Sequence, residues 1–369
     1  MAIRTIHFTP NHNVEFYKEL RKRVNDYFKT NNISKHANAA MVFKTVMMIS
    51  MYLVPFSLLF VNGFENWVYY IFWIIMGFGT AGCGLSIMHD ANHGSYSTNS
   101  TVNFVIGKIL VLLGGNDTNW RIQHNILHHT YTNVTDLDED ISPPTPLLRF
   151  SPHKKRIAAH KYQHIYAWFF YGLMTITWFF SKDYQQAKRY ENWGLVKSQG
   201  FSYRAHLTTI IIEKLIYATL FIALPFLLSP ASWWVTLLGF LTMQFIAGLT
   251  LGAIFQPAHV VPTSNYPLPD NSGVVEADWA VSQLLNTSNF APNARLFSWY
   301  VGGLNYQVEH HLFPNICHIH YRDISKIVEQ TAKDFNLPYH SYSSFRLALK
   351  EHTKMLYALG HNDMAPAIH

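Results

Sequence analysis

Four apolar stretches are long enough to cross a bilayer, which takes roughly 20 residues. They cover residues 41–61, 67–88, 207–228 and 232–255. The second and fourth hold no charged residue; the first has Lys44 near its start, and the third holds Glu213 and Lys214. A lysine near a helix end can snorkel to the interface. Glu213 and Lys214 fit a span if they sit near the headgroups or pair inside a bundle. Buried helices of a soluble core are the weaker reading, because uncharged runs of this length are hard to hide in water. Two shorter runs, 102–114 and 165–180, fall short of a span and read as interfacial or re-entrant helices.

Composition agrees with a chain that lives in lipid. Hydrophobic residues make up 49% and charged residues only 14%, where a soluble chain carries about a quarter charged. Lysine and arginine are placed unevenly: seven in residues 1–40, twelve in 89–206 and seven after 256. The short connections 62–66 and 229–231 have none. The positive-inside rule then puts both termini and the central segment in the cytoplasm. The net charge of +6 reads as a basic face against anionic headgroups, and no basic cluster is joined to a nucleic-acid-binding motif. No cleavable signal peptide is visible in the polar first 40 residues. With only Cys83 and Cys317, a disulfide framework is not expected.

The chemistry lies in the histidines, of which there are 21. His89-Asp90-Ala91-Asn92-His93 directly follows the second span. If that helix continues, His89 and His93 share a face and form a two-point chelate. In His124-Asn125-Ile126-Leu127-His128-His129, an α-helix puts His124 and His128 on one face and turns His129 about 100° away, so the adjacent pair can serve two metals. Gln307 precedes His310 and His311 by three and four residues, so all three can converge. His259 follows the fourth span as His89 follows the second. Four crossings return the chain to its starting side, so all these groups share one membrane face provided that neither 102–114 nor 165–180 crosses. A lone histidine pair is ordinarily structural. Seven histidines in three dense clusters, with His259 as the eighth, exceed the three or four ligands of a single zinc site and indicate two metals. Imidazole itself suits iron, zinc, copper and nickel alike.

These residues carry a family resemblance. His89-Asp90-x-x-His93-Gly94, His124-Asn125-x-x-His128-His129 and Gln307-x-x-His310-His311 resemble the three histidine boxes of membrane fatty acid desaturases. The glutamine that opens the third box, within Gly303-Leu304-Asn305-Tyr306-Gln307-Val308-Glu309-His310-His311-Leu312-Phe313-Pro314, is similar to front-end desaturases of the delta-5 and delta-6 type. The resemblance spans about residues 40 to 325. It implies an all-α, mushroom-shaped membrane fold with four transmembrane helices, interfacial helices and a cytoplasmic cap holding a di-iron site. It implies His89, His93, His124, His128, His129, His310 and His311 as iron ligands, Gln307 as a ligand directly or through water, and His259 as the extra histidine after the fourth span. It also implies reduction of O2 to water as a double bond forms. Many front-end relatives carry a fused cytochrome b5 domain with a His-Pro-Gly-Gly motif. No His-Pro dipeptide occurs here and residues 1–40 are too few for that domain, so electrons are expected from a separate carrier, ferredoxin or free cytochrome b5.

The sequence therefore reads as a cytoplasmic N-terminal segment (1–40), a membrane desaturase domain (41–325) and a cytoplasmic C-terminal segment (326–369). Metal-bound histidines usually donate their other nitrogen to a carboxylate or carbonyl, and Asp90, Glu309 and Asp138 are the named acceptors. A solvated acidic loop is the alternative for Asp136, Asp138 and Asp140. Trp120 could line an acyl tunnel or simply pack. The expected substrate is an acyl-CoA or a glycerolipid acyl chain. The alternatives are a fatty acyl or lipid hydroxylase of the same architecture, a zinc-binding membrane receptor or hydrolase, and a structural protein whose histidines bind nothing.

Overall fold

The structure is a computed structural model that describes residues 6–9, 14–143 and 145–362. The described residues are overwhelmingly helical, with only two parallel strand pairings of two residues each, His7–Phe8 with Val274–Val275 and Asn289–Phe290 with Ser341–Tyr342. Four helices are long and apolar enough to cross a membrane: Ala39–Leu58, Asn66–Asn92, Tyr203–Leu228 and Trp233–His259. The second and fourth have 27 residues each, about 40 Å at 1.5 Å per residue. That exceeds a hydrocarbon core of about 30 Å, so each continues beyond the apolar run and carries its histidines on its last turns. Neither shorter apolar run forms a helix long and apolar enough to cross a membrane. Residues 100–112 fold as Ser100–Gly107 and Ile109–Leu112, and the helix Gln163–Gly172 ends before Met174–Thr177 begins.

The chain divides into two compact units. One is built from Asn38–Ile122 and Trp168–Ala253, and it holds the apolar helices. Its first and second spans meet closely at Gly79, where a Cβ would stand 2.7 Å from the Tyr52 backbone nitrogen; only glycine allows that approach. Val42, Phe43 and Val46 of the first span, and Leu215 of the third, point outward, as lipid-facing side chains must. Lys44 does not snorkel. It lies on the inward row with Met41, Met48 and Tyr52 and is only 2% exposed, because helical periodicity places position 44 on the protein-facing side.

Glu213 and Lys214 are both buried and find separate partners. Glu213 accepts from Lys108 at 2.7 Å and from Asn116 at 2.6 Å. Lys214 pairs with Asp183 and donates to the carbonyls of Gly114 (2.5 Å) and Trp178 (2.9 Å). Asp117 closes the network, bridging Lys108 and Arg121 at 2.6 Å each. A charge this deep is tolerable only because each is paired and hydrogen-bonded.

The second unit gathers Gln123–Ala167, the chain from Ile254 onward and the helix Val14–Thr30. That N-terminal helix is amphipathic. Phe16, Leu20, Val24 and Phe28, each four residues apart, bury their side chains in a core shared with Tyr306, Val308, Leu312, Tyr321, Ile324 and Val328. The same core therefore supports the third histidine box from below. Breaking the buried ion pair of the first unit tests its packing. Lys214→Met leaves Asp183 without its cation and is expected to cost about 3–5 kcal/mol. This would appear as a lowered unfolding midpoint in detergent; an unchanged midpoint would contradict the pairing.

Candidate metal centre

The second histidine cluster is not α-helical. After the short helix Asp117–Arg121, residues Ile122–His128 form a π-helix, in which the His129 amide bonds to the His124 carbonyl at 3.0 Å. The expected divergence of His129 by 100° thus fails. With five residues rather than four closing each turn, His129 comes round over His124, and their Nε2 atoms stand 3.3 Å apart. His124 and His128 still share a face, with rings stacked at 5.2 Å.

The third cluster rides on the helix Gln307–Leu312. Gly302 and Gly303 lead into it with φ of +65° and +66°, a left-handed turn that glycine adopts without strain. A Cβ on Gly303 would also meet the His318 side chain at 3.0 Å. His310 and His311 emerge almost at right angles, with ring planes 81° apart.

Within this unit six buried histidines converge. The Nε2 atoms of His124, His129 and His310 form a triangle with sides of 3.0, 3.3 and 3.4 Å. His128 and His311 bring their Nε2 atoms to 3.2 Å, and His128, His259 and His311 form a second triad with ring nitrogens within 4.8 Å of one another. Two nitrogens on one ion at about 2.1 Å lie about 3.0 Å apart at right angles and about 3.4 Å apart at a tetrahedral angle. The four Nε2 separations of 3.0–3.4 Å fall in that window. A triangle of ring nitrogens cannot satisfy itself by hydrogen bonding, since each Nε2 has a single in-plane hydrogen or lone pair. The Nε2 of His259 is buried with no hydrogen-bond partner at all. These donors fit two metal ions, and consecutive residues, His128 with His129 and His310 with His311, send one ring to each triad.

The other nitrogen of nearly every ring is held from behind. His128 Nδ1 faces Asp138 at 3.0 Å, and Asp140 lies 3.4 Å from His128 Nδ1 and 3.5 Å from His124 Nδ1. His310 Nδ1 meets the Tyr321 hydroxyl at 3.2 Å. His311 Nδ1 meets Gln283 Oε1 at 2.8 Å, and His259 Nδ1 meets the Asn286 carbonyl at 3.3 Å. An acceptor on Nδ1 fixes its proton there and leaves the Nε2 lone pair for a metal. The acidic loop folds back to reach the rings. Asn133, at φ +60°, donates its amide to Asp138 at 2.8 Å and its side chain to the His259 and Asn265 carbonyls. Asp136 stays solvated while Asp138 is fully buried.

Burial disfavours a charged His128, yet Asp138 and Asp140 outweigh it and raise the imidazole to about 9. His311 moves the other way. Burial, and then the neighbouring His129 and His128, hold it well below the usual histidine range.

The remaining named residues are placed as follows. Gln307 is buried one turn before His310 and His311, with its Nε2 unpartnered. The Glu309 carboxylate is bound by Asn289 (2.8 Å) and the Tyr339 hydroxyl (2.9 Å), and these bonds tie the third-box helix to the strand at Asn289. In the first unit, the helix His89–Asn92 continues the second span, and its capping residue His93 stands one turn from His89 with ring centroids 4.7 Å apart. The Trp120 indole packs edgewise on both rings at 5.4 and 5.5 Å. Asp90 is buried between them in sequence. Sequence reasoning missed Thr132, Trp279, Gln283, Asn286 and Tyr321. Thr132 lies four residues after His128, a spacing that predicts a shared face; the others carry no mark in the sequence.

Removing one rear support tests the cluster as a metal site. Asp138→Asn is expected to lower metal affinity about 10- to 100-fold, measured as metal retained against a competing chelator; wild-type retention would contradict that role.

Comparison with known proteins agrees with this geometry. The fatty acid desaturase family model matches residues 65–343. The chain is 35% identical over 357 residues to an acyl-lipid (8-3)-desaturase of Physcomitrium patens, covering 96% of this chain and 74% of that one. It is 32% identical to an sn-1 linoleoyl-lipid 6-desaturase of Arthrospira platensis, covering 100% and 99%, and 30% identical to one of Synechocystis, covering 94% and 95%. The chain therefore belongs to the fatty acid desaturase family, as an integral membrane oxidoreductase with four candidate spans.

Proposed function

We propose that this protein is an O2-dependent di-iron desaturase that introduces a double bond into the acyl chain of a glycerolipid, on the carboxyl side of an existing double bond. The observation that carries the reading is the pair of converging histidine triads, in a chain whose relatives are named as acyl-lipid (8-3)- and linoleoyl-lipid 6-desaturases. Those names favour a lipid-linked substrate over acyl-CoA.

His124, His128, His129, His259, His310 and His311 would hold the irons with neutral imidazoles. The sequence pattern adds His89 and His93, and Gln307 takes the position opening the third box. Iron bound there would supply the oxidant that an unactivated C–H bond requires, which acid–base side chains cannot supply. The chain's own part is to hold that chemistry still and dry. Asp138, Tyr321, Gln283 and the Asn286 carbonyl orient the ligand rings. Asp90 and Glu309 are proposed as further supports, Glu309 through the third-box helix and not through a ring. Trp120, against His89 and His93, is proposed to flank the acyl chain.

The distribution of lysine and arginine supports termini and metal centre on the cytoplasmic side. Electrons would come from a separate ferredoxin or cytochrome b5, guided by the basic face through attraction that weakens with salt.

Lipid analysis of an expressing host fed a panel of unsaturated precursors tests the reaction. A product lighter by two hydrogens is expected, and a product gaining one oxygen would overturn desaturation. His128→Ala and His311→Ala are expected to abolish that product while the protein still inserts in the membrane; full activity in either would remove that residue from the ligand set.

A further inference from the structure

One short helix, Trp279–Asn286, touches three of the segments that carry the ring nitrogens. Trp279, Gln283 and Asn286 follow at i, i+4 and i+7 and so share one face. The Trp279 indole donates to the His129 carbonyl at 3.1 Å. Asn286 donates to the Thr132 carbonyl at 2.8 Å, and its own carbonyl faces His259 Nδ1. Between them Gln283 Oε1 lies 2.8 Å from His311 Nδ1 and 2.8 Å from the Thr132 hydroxyl. Gln283 alone on this face reaches both the second-box segment and a third-box ring.

We propose that Gln283 is a positioning residue whose amide oxygen sets the tautomer of His311, holding the proton on Nδ1 so that Nε2 is free to bind metal. The proposal rests on His311 being a ligand, as put forward above. A side-chain amide offers oxygen on one side and NH2 on the other, so two orientations compete. With oxygen toward His311, Nε2 of Gln283 is left without a partner, in a side chain that is fully buried and so has no water to bond instead. Turned over, the NH2 would donate to both the Thr132 hydroxyl and His311 Nδ1, and every hydrogen of the amide would be used. Hydrogen-bond count alone therefore favours the turned form. That form, however, makes His311 Nδ1 an acceptor, moves the ring proton to Nε2 and removes the lone pair that would bind metal. The 3.2 Å approach of His311 Nε2 to His128 Nε2 is the arrangement the first orientation serves. Gln283 thus works as a two-position latch, and its metal-competent position leaves an amide hydrogen pair unsatisfied.

This predicts opposite outcomes for two substitutions of similar size. An ionised glutamate accepts from Nδ1 and cannot donate to it, so Gln283→Glu fixes the metal-competent tautomer. Leucine neither accepts nor donates, so Gln283→Leu leaves His311 Nδ1 only the Thr132 hydroxyl at 3.2 Å, which can accept or donate and so does not fix the proton. The full-length proteins are stripped of metal in detergent, their thermal midpoints are recorded, and Co2+ is titrated in against a chromophoric chelator while its d–d absorption is followed. Gln283→Glu is expected to bind Co2+ at least as tightly as the unaltered protein. Gln283→Leu is expected to bind about 10- to 100-fold more weakly, at a metal-free midpoint that stays near the original. Equal losses in both variants, or wild-type binding by Gln283→Leu, would overturn the proposal. Should Gln283→Leu fail to fold, Gln283→Glu still decides: ten-fold weaker binding refutes the latch. His311→Ala in the same titration separates the two levels. If it binds Co2+ like the unaltered protein, the ligand assignment itself fails. If it weakens binding and Gln283→Leu does not, only the latch fails.

Discussion

Buried imidazole nitrogens pointing at one another are the constraint around which this protein is organised. A polar atom taken out of water needs a partner, and leaving it without one costs about 1–3 kcal/mol. In the second unit the buried rings of His124, His129 and His310, and those of His128 and His311, bring their Nε2 atoms to 3.0–3.4 Å, where at most some of them can hydrogen-bond. Neutral rings in that arrangement offer a nest of lone pairs. A divalent cation at each cluster would resolve it.

The fold is arranged to hold that conflict in place. A π-helix brings His124 and His129 together where an α-helix would separate them. A left-handed double glycine starts the third-box helix, and the Phe16–Phe28 stripe of the N-terminal helix fills the core beneath it. A loop that looks like solvated acid folds back through Asn133 and delivers Asp138 to His128. Five of the six rings have a group set against Nδ1: a carboxylate, a phenol, an amide oxygen or a backbone carbonyl. The supports are as individual as the ligands, which is how neutral rings of one chemical kind can be aimed at two separate centres.

Much of this was legible in the residues themselves. The four spans could be read because bilayer thickness imposes a length and an apolarity that nothing else demands. Their overshoot was legible because His89 and His259 follow them directly. That the histidines within the second box and within the third could gather followed from helical spacing, although the spacing that applies at His124–His129 is five and not four. A π-turn leaves no local signature, since it depends on packing and not on propensity. Lys44 was misplaced for a related reason: its depth is set by which face of the helix turns inward, and residue type does not report that. The partners of Glu213 and Lys214, and the helix bearing Trp279, Gln283 and Asn286, were out of reach because they join positions about 30 to 155 residues apart that only the folded chain brings together.

The metal content of the purified protein bears most directly on the central claim. After expression with iron supplied, metal analysis joined to X-ray absorption at the iron edge should find two irons per chain. Each should be ringed mainly by nitrogen at about 2.1 Å. A single zinc per chain with no iron, or iron bound chiefly through oxygen, would contradict it.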